Sequence, residues 1–314
     1  MIPYDPYFGY QHRYEESYAG LPVVEIAPEE EEIPDPASVA VRISSGWDDY
    51  DIEEAFDALL ARVDTTKVPA LVIGGWEDCY ETSSEHLIGL LADNAAWFPG
   101  LRSLFLGAIS SDEAEISWIQ QSDVTPLLEA FPRLERLEVR GGTGLGLRPV
   151  THESLRMLRF ETGGLPAKVV RAVGACELPA LEHLEMWLGV ENYGGDATVA
   201  DLAPILSGER LPALRHLGLQ DSEIQDEIVT AVASAPVVAR LESLALSMGT
   251  LTDAGAEALL GGQPLTHLHT LDLHHHYLTD AMAARVAEAL PGVEVDLSGK
   301  EEPVHDWRYV AVSE

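Results

Sequence analysis

LESLALSMGTLTDAGAEALL, residues 241–260, decides the architecture of this chain. Leu241, Leu244 and Leu246 give the alternation of a short strand, a turn follows, and the Thr252-Asp253 pair opens a helix carrying Ala256, Leu259 and Leu260. The same L-x-x-L-x-L pattern returns at Leu181/Leu184/Met186, Leu214/Leu217/Leu219 and Leu268/Leu271/Leu273. One strand–turn–helix unit cannot bury its apolar face alone, so a run of such units must stack into a solenoid. The expected fold is α/β, with parallel strands lining the concave face and helices and loops on the convex one.

The units begin at Leu101, Leu134, Leu155, Leu181, Leu214, Leu241 and Leu268, at intervals of 33, 21, 26, 33, 27 and 27 residues. The 21-residue unit has room for little beyond a turn. The two 33-residue units carry excursions at 110–123, with Trp118 and Gln120, and at 189–196, with Tyr193. Loops projecting from a rigid scaffold are natural contact sites, so these three residues are candidates for binding.

The flanks are irregular. Residues 1–20 form a Tyr-rich arm read as disordered, with docking on a partner as the alternative. Residues 21–100 read as an N-terminal cap with irregular first repeats: a strand at 21–26, an acidic Pro-bearing loop at 27–36, strands at 39–43 and 70–73, and a helix at 53–63. Regular repeats fill 101–298. Residues 299–314, ending in WRYVAVSE, read as a C-terminal cap that pairs with the last strand, near Val295, or covers its edge.

Nineteen basic residues against 53 acidic ones leave a formal charge of -34, which repels nucleic acid and anionic membranes. Two distant cysteines, Cys79 and Cys176, do not make a disulfide framework and suit a reducing cytoplasm. The sequence contains neither a signal-peptide pattern nor a run of 18 apolar residues. These features predict a cytoplasmic protein with no membrane or nucleic-acid partner and no cofactor.

The unit from Leu241 to Ala256 resembles the ribonuclease-inhibitor-like class of leucine-rich repeats, which implies a horseshoe-shaped leucine-rich-repeat solenoid. Five further stretches are similar to a bacterial family of cytoplasmic leucine-rich-repeat proteins: EISWIQQSDVTPLLEAFP (115–132), VRGGTGL (139–145), ETGGLPAKVVRAV (161–173), SEIQDEI (222–228) and the terminal WRYVAVSE. That resemblance implies an accessory role beside radical-SAM-like and ATP-grasp-like proteins that modify a peptide or small molecule. In the general repeat class an Asn holds the turn after each strand; here the position holds Gly163, Gly189, Ser222, Gly249 and His276.

Alternation sends the residues between the inward leucines to the concave face, and neighbouring strands bring equivalent positions to about 4.8 Å. Arg136, Arg140, Arg159, Glu161, Glu185, Trp187, Gln220, Asp221 and His274 therefore form the candidate binding face. Arg and Trp are the residue types of binding hot spots, and an exposed Trp187 beside Arg140 would contribute to binding but little to stability. The competing reading makes Arg159 with Glu138 and Glu185, and Arg140 with Glu161, cross-strand ion pairs. The partner expected is a protein or peptide, bound without catalysis.

Asp272, His274 and His275 are the basis of the alternative, a metal-dependent hydrolase or other enzyme. Zinc wants three or four donors converging on one point, whereas adjacent strand residues diverge, so no metal ligand is assigned. His183, His216 or His274 could act as a base, but register places no Ser or Cys nucleophile beside them. The Gly-rich RGGTGLGL lacks the strand, helix and Lys of a phosphate loop and reads as the turn of the short repeat.

Overall fold

The structure, a computed structural model, describes residues 16–27, 35–46 and 50–314. Among the described residues twelve strands form one sheet in sequence order: β1 (Ser17–Tyr18), β2 (Leu21–Glu25), β3 (Ala40–Ile43), β4 (Ala70–Ile73), β5 (Ser103–Leu106), β6 (Arg136–Arg140), β7 (Met157–Glu161), β8 (His183–Gly189), β9 (His216–Ser222), β10 (Ser243–Ala245), β11 (Thr270–Asp272) and β12 (Glu294–Asp296). All pairings after the β1–β2 hairpin are parallel. The molecule is a leucine-rich-repeat solenoid.

Register explains the leucine pattern. Leu104, Leu137, Leu158, Leu184, Leu217, Leu244 and Leu271 are partners on successive strands and form one buried column. Each burial removes apolar surface worth about 1.5–3 kcal/mol from water. Helices α1 (Ile52–Arg62), α2 (Glu85–Asp93), α3 (Thr125–Ala130), α4 (Ala167–Ala175), α5 (Val199–Ser207), α6 (Gln225–Val232), α7 (Asp253–Leu260) and α8 (Asp280–Ala289) close the other side of this core. The short unit has no helix between β6 and β7.

The Thr-Asp pairs do more than cap their own helices. Thr252 and Thr279 accept from the first turns of α7 and α8, respectively. Asp253 also accepts from the N–H and hydroxyl of Thr279, both at 2.8 Å, and Asp226 accepts from the N–H of Thr252 at 2.8 Å. Each helix start is thus tied to the next unit, which locks the spacing of the last repeats. His276 fills the turn normally held by Asn: its Nδ1 accepts from Leu278 N at 3.1 Å and its Nε2 lies 3.0 Å from the Leu297 carbonyl.

Residues 16–20 and the C-terminal tail are placed differently from expectation. Residues 1–15 of the Tyr-rich arm, and residues 28–34 of the acidic loop, lie outside the described residues. The arm's remaining part is ordered: Ser17–Tyr18 turns through Ala19 and Gly20, φ 52° and 79°, and pairs antiparallel with β2. Two consecutive left-handed residues are the signature of a tight hairpin turn. The Tyr18 ring is fully buried, 5.9 Å from Phe105 and under the Arg136 guanidinium at 4.9 Å.

The last residues do not lie along β12. They run back across the C-terminal ends of the strands: the Tyr309 carbonyl accepts from Tyr277 Oη and lies 3.0 Å from His275 Nε2, Ala311 N donates to the Met248 carbonyl, and Val312 N donates to Asp221. The three-residue β12 offers only a short edge, whereas the strand ends supply the Met248 carbonyl and the Asp221 carboxyl as acceptors.

Candidate functional site

The concave face of β6–β9 is lined by a buried charged ladder. Arg159, 2% exposed, sits among three carboxylates: Glu185 at 2.7 Å, Glu161 at 3.3 Å and Glu138 at 3.5 Å. Arg140 meets Glu161 at 2.8 Å, and Arg136 pairs with Glu138. Three arginines thus face three glutamates. Burial opposes ionisation of Glu185, but Arg159, with His183 and His216 beside it, holds the carboxyl well below the usual range. The cross-strand ion pairs anticipated from register are present, and they are desolvated rather than exposed.

Glu185 reaches its place because its neighbour on β9 is Gly218. A Cβ on Gly218 would lie 2.8 Å from Glu185 Cγ and 2.8 Å from Gln220 Oε1. The missing side chain lets Glu185 lean over β9. One of its oxygens takes Arg159 and the indole N–H of Trp187 at 3.2 Å; the other lies 3.2 Å from His183 Nε2 and 4.0 Å from His216 Nε2. Burial keeps both imidazoles below the normal histidine pKa. The expectation that no Ser lies beside these histidines fails at His216, whose Nδ1 is 2.7 Å from the hydroxyl of its register partner Ser243. A separate chain of bonds runs from Gln220 through Ser247 at 2.8 Å to Asp272 at 2.9 Å, and Asp272 holds His274 Nδ1 at 2.7 Å.

All nine concave candidates, Arg136, Arg140, Arg159, Glu161, Glu185, Trp187, Gln220, Asp221 and His274, are buried. Trp187 is the main departure. Expected as an exposed anchor, it is 2% exposed and packs with Ile116 and Met248 beneath Ala311 and Val312 of the tail. Removing Trp187 or Arg140 would therefore cost stability. The three loop candidates are placed differently. Trp118 is 54% exposed, and Gln120 and Tyr193 are half-buried.

The loop site also contains a residue that sequence reasoning missed. Gln120 Nε2 donates to the carbonyls of both Trp118 and Tyr80, at 3.3 Å each, and ties the insertion to the turn that carries Tyr80, itself 49% exposed. Gln120 N also donates to the Cys79 carbonyl at 2.8 Å. Its polar neighbours, Asp78, Glu81 and Thr82, suit a surface turn, but only the long-range pairing places it beside Trp118.

Three donor clusters could hold a metal among the described residues: His183/Glu185/His216, Asp272/His274/Asp296 and Glu53/Glu77/His86. In the first, the imidazoles stack at 4.0 Å with planes 17° apart. Stacked rings aim their nitrogen lone pairs side by side rather than at one point, unlike a zinc centre. In the second, Asp296 joins Asp272 and His274, while His275 turns away toward the tail.

No protein-family model matches the sequence, and no curated protein matches it. The chain shares its fold with a Bacteroides fragilis protein. That crystal structure superposes with a TM-score of 0.80 at 29% identity, over 88% of this chain and 78% of that one. An internalin from Listeria monocytogenes aligns with a TM-score of 0.37 at 16% identity over 84% and 75% of the two chains. The leucine-rich-repeat domain of APL1B aligns at 0.30 and 12% over 88% and 76%. Superpositions that loose carry no functional argument. No helix among the described residues is long and apolar enough to cross a membrane.

Proposed function

We propose that this protein is a non-catalytic protein- or peptide-binding module, and that its primary contact surface is the loop platform of Trp118, Gln120 and Tyr80. The observation that carries this reading is the pair of half-exposed aromatics, 54% and 49%, held together by Gln120. Two rigidly placed aromatics offer contact area at small entropic cost, as binding hot spots do. The concave arginines are poor anchors for a partner's carboxylates, because each already has a buried glutamate.

A charge of -34 favours a protein partner over nucleic acid or an anionic membrane. The two free, buried cysteines suit a reducing, cytoplasmic setting. The family resemblance supports an accessory place beside enzymes that modify a peptide or small molecule. The test is capture from native cytoplasm with wild type and with Trp118→Ala/Tyr80→Ala as bait. A partner held by the first and lost by the second supports the platform; identical captures remove it.

A second reading, a metal-dependent enzyme, draws on the Asp272/His274/Asp296 donor set. Elemental analysis of protein purified without chelators tests it. A stoichiometric transition metal lost on Asp272→Asn substitution would favour this reading, and its absence would sink it.

A further inference from the structure

The tail covering Trp187 is held in a way that points to a groove built for an extended peptide. Most of its hydrogen bonds use main-chain atoms, with Tyr193 Oη donating to the Glu314 carboxylate as a side-chain contact. Ala311 N donates to the Met248 carbonyl at 2.7 Å, Val312 N donates to Asp221 Oδ1 at 2.9 Å, and the Tyr309 carbonyl accepts from Tyr277 Oη at 3.0 Å. Main-chain recognition of an extended segment tolerates many sequences, and specificity then falls to the pockets beneath. Here the pocket is Ile116, Trp187 and Met248, and what fills it is a consecutive pair of small apolar side chains, Ala311 and Val312. Gly163 completes the floor: a Cβ there would lie 2.3 Å from the Ser313 carbonyl oxygen, so the backbone can pass only over a glycine.

Two further observations bear on how the tail sits in this groove. Asp221 is fully buried, yet among the described residues its Oδ2 has no hydrogen-bond partner. A buried carboxyl oxygen without a hydrogen-bond partner is costly, so the groove offers one polar atom more than the tail uses. The approach to the tail is solvent-exposed: Trp307 and Tyr309 are 70% and 59% exposed. His305 and Asp306, φ 51° and 72°, form a tight hairpin turn closed by the mutual backbone hydrogen bonds of Val304 and Trp307 at 2.9 and 3.0 Å, which sets the tail off from the last strand.

We propose that this groove recognises an extended peptide segment of a partner protein, one with two consecutive small or β-branched apolar residues and a hydroxyl or amide group to pair with Asp221 Oδ2. The chain's own residues 309–314 occupy it as a displaceable stand-in. The groove is separate from the Trp118/Tyr80 platform and stands or falls independently of it.

The test uses Ala311→Pro/Val312→Pro in the full chain, which removes both tail N–H donors, and a fluorescently labelled peptide, RYVAVSE, with the sequence of residues 308–314. The peptide is expected to bind the variant one to one, at least tenfold more tightly than wild type, and adding Asp221→Ala should abolish binding. A folded variant that does not bind the peptide overturns the proposal. Hydrogen exchange on the unmodified protein tests it without any variant. Amides of Ala311 and Val312 exchanging at least a hundredfold faster than those of β8 and β9 support a displaceable tail. Exchange as slow as in those strands, or a variant that cannot fold, makes the tail part of the core and overturns the proposal.

Discussion

Asp221 and Val312 are 91 residues apart in the chain and joined by a 2.9 Å hydrogen bond, with the carboxylate fully buried. Burial pushes the Asp221 carboxyl well above the ordinary carboxylate range, and the hydrogen bond from the Val312 amide only partly counters it. Below the unfolded-state pKa of about 4 both states are protonated and the site costs nothing. As pH rises from there, the unfolded chain ionises first, so stability falls until the folded-state pKa is passed. Asp221→Asn removes this term and keeps an oxygen to accept from Val312. The difference in Tm between Asp221→Asn and wild type should therefore grow in the variant's favour as pH rises from about 4 toward neutrality. A difference independent of pH would show that Asp221 is not buried as a titrating group.

Arg159 tests the buried ladder. Arg159→Met leaves Glu138, Glu161 and Glu185 without their shared cation and should cost about 3–5 kcal/mol. The exposed Arg285–Glu257 pair is the control. Arg285→Ala should change stability by no more than about 1 kcal/mol, since solvent screens such pairs. Urea unfolding of the two variants compares these costs directly; equal losses would mean that the ladder is solvated.

Gly218→Ala probes how Glu185 is seated. A Cβ there would press on Glu185 Cγ and Gln220 Oε1, both at 2.8 Å. Overpacking of this kind costs about 1–3 kcal/mol. Displacing the carboxylate should also move the ring resonances of His183 and His216 in NMR spectra. Unchanged histidine signals would show that Gly218 has no part in placing Glu185.

The two tryptophans should separate cleanly. Trp187→Ala opens a cavity beside Ile116 and Met248 and should cost about 3–5 kcal/mol. Trp118→Ala removes a side chain already half in water and should change stability by about 0.5 kcal/mol or less. Thermal melts of the two proteins check this, and a large loss for Trp118→Ala would make the loop platform structural.

The sequence by itself determined the repeat. A leucine at each inward strand position and a Thr-Asp at each late helix start are local patterns, legible because side-chain alternation and capping act over a few residues. Register then placed Arg159 between Glu138 and Glu185, since parallel strands of known pattern have few ways to align. Tertiary structure alone decided which of those residues water can reach. Trp187 is buried because a segment more than a hundred residues later folds back over it, Tyr80 joins Trp118 through a long-range bond from Gln120, and Tyr18 turns into the sheet to cover Arg136. Burial depends on what the rest of the chain lays over a surface, and no local periodicity carries that information.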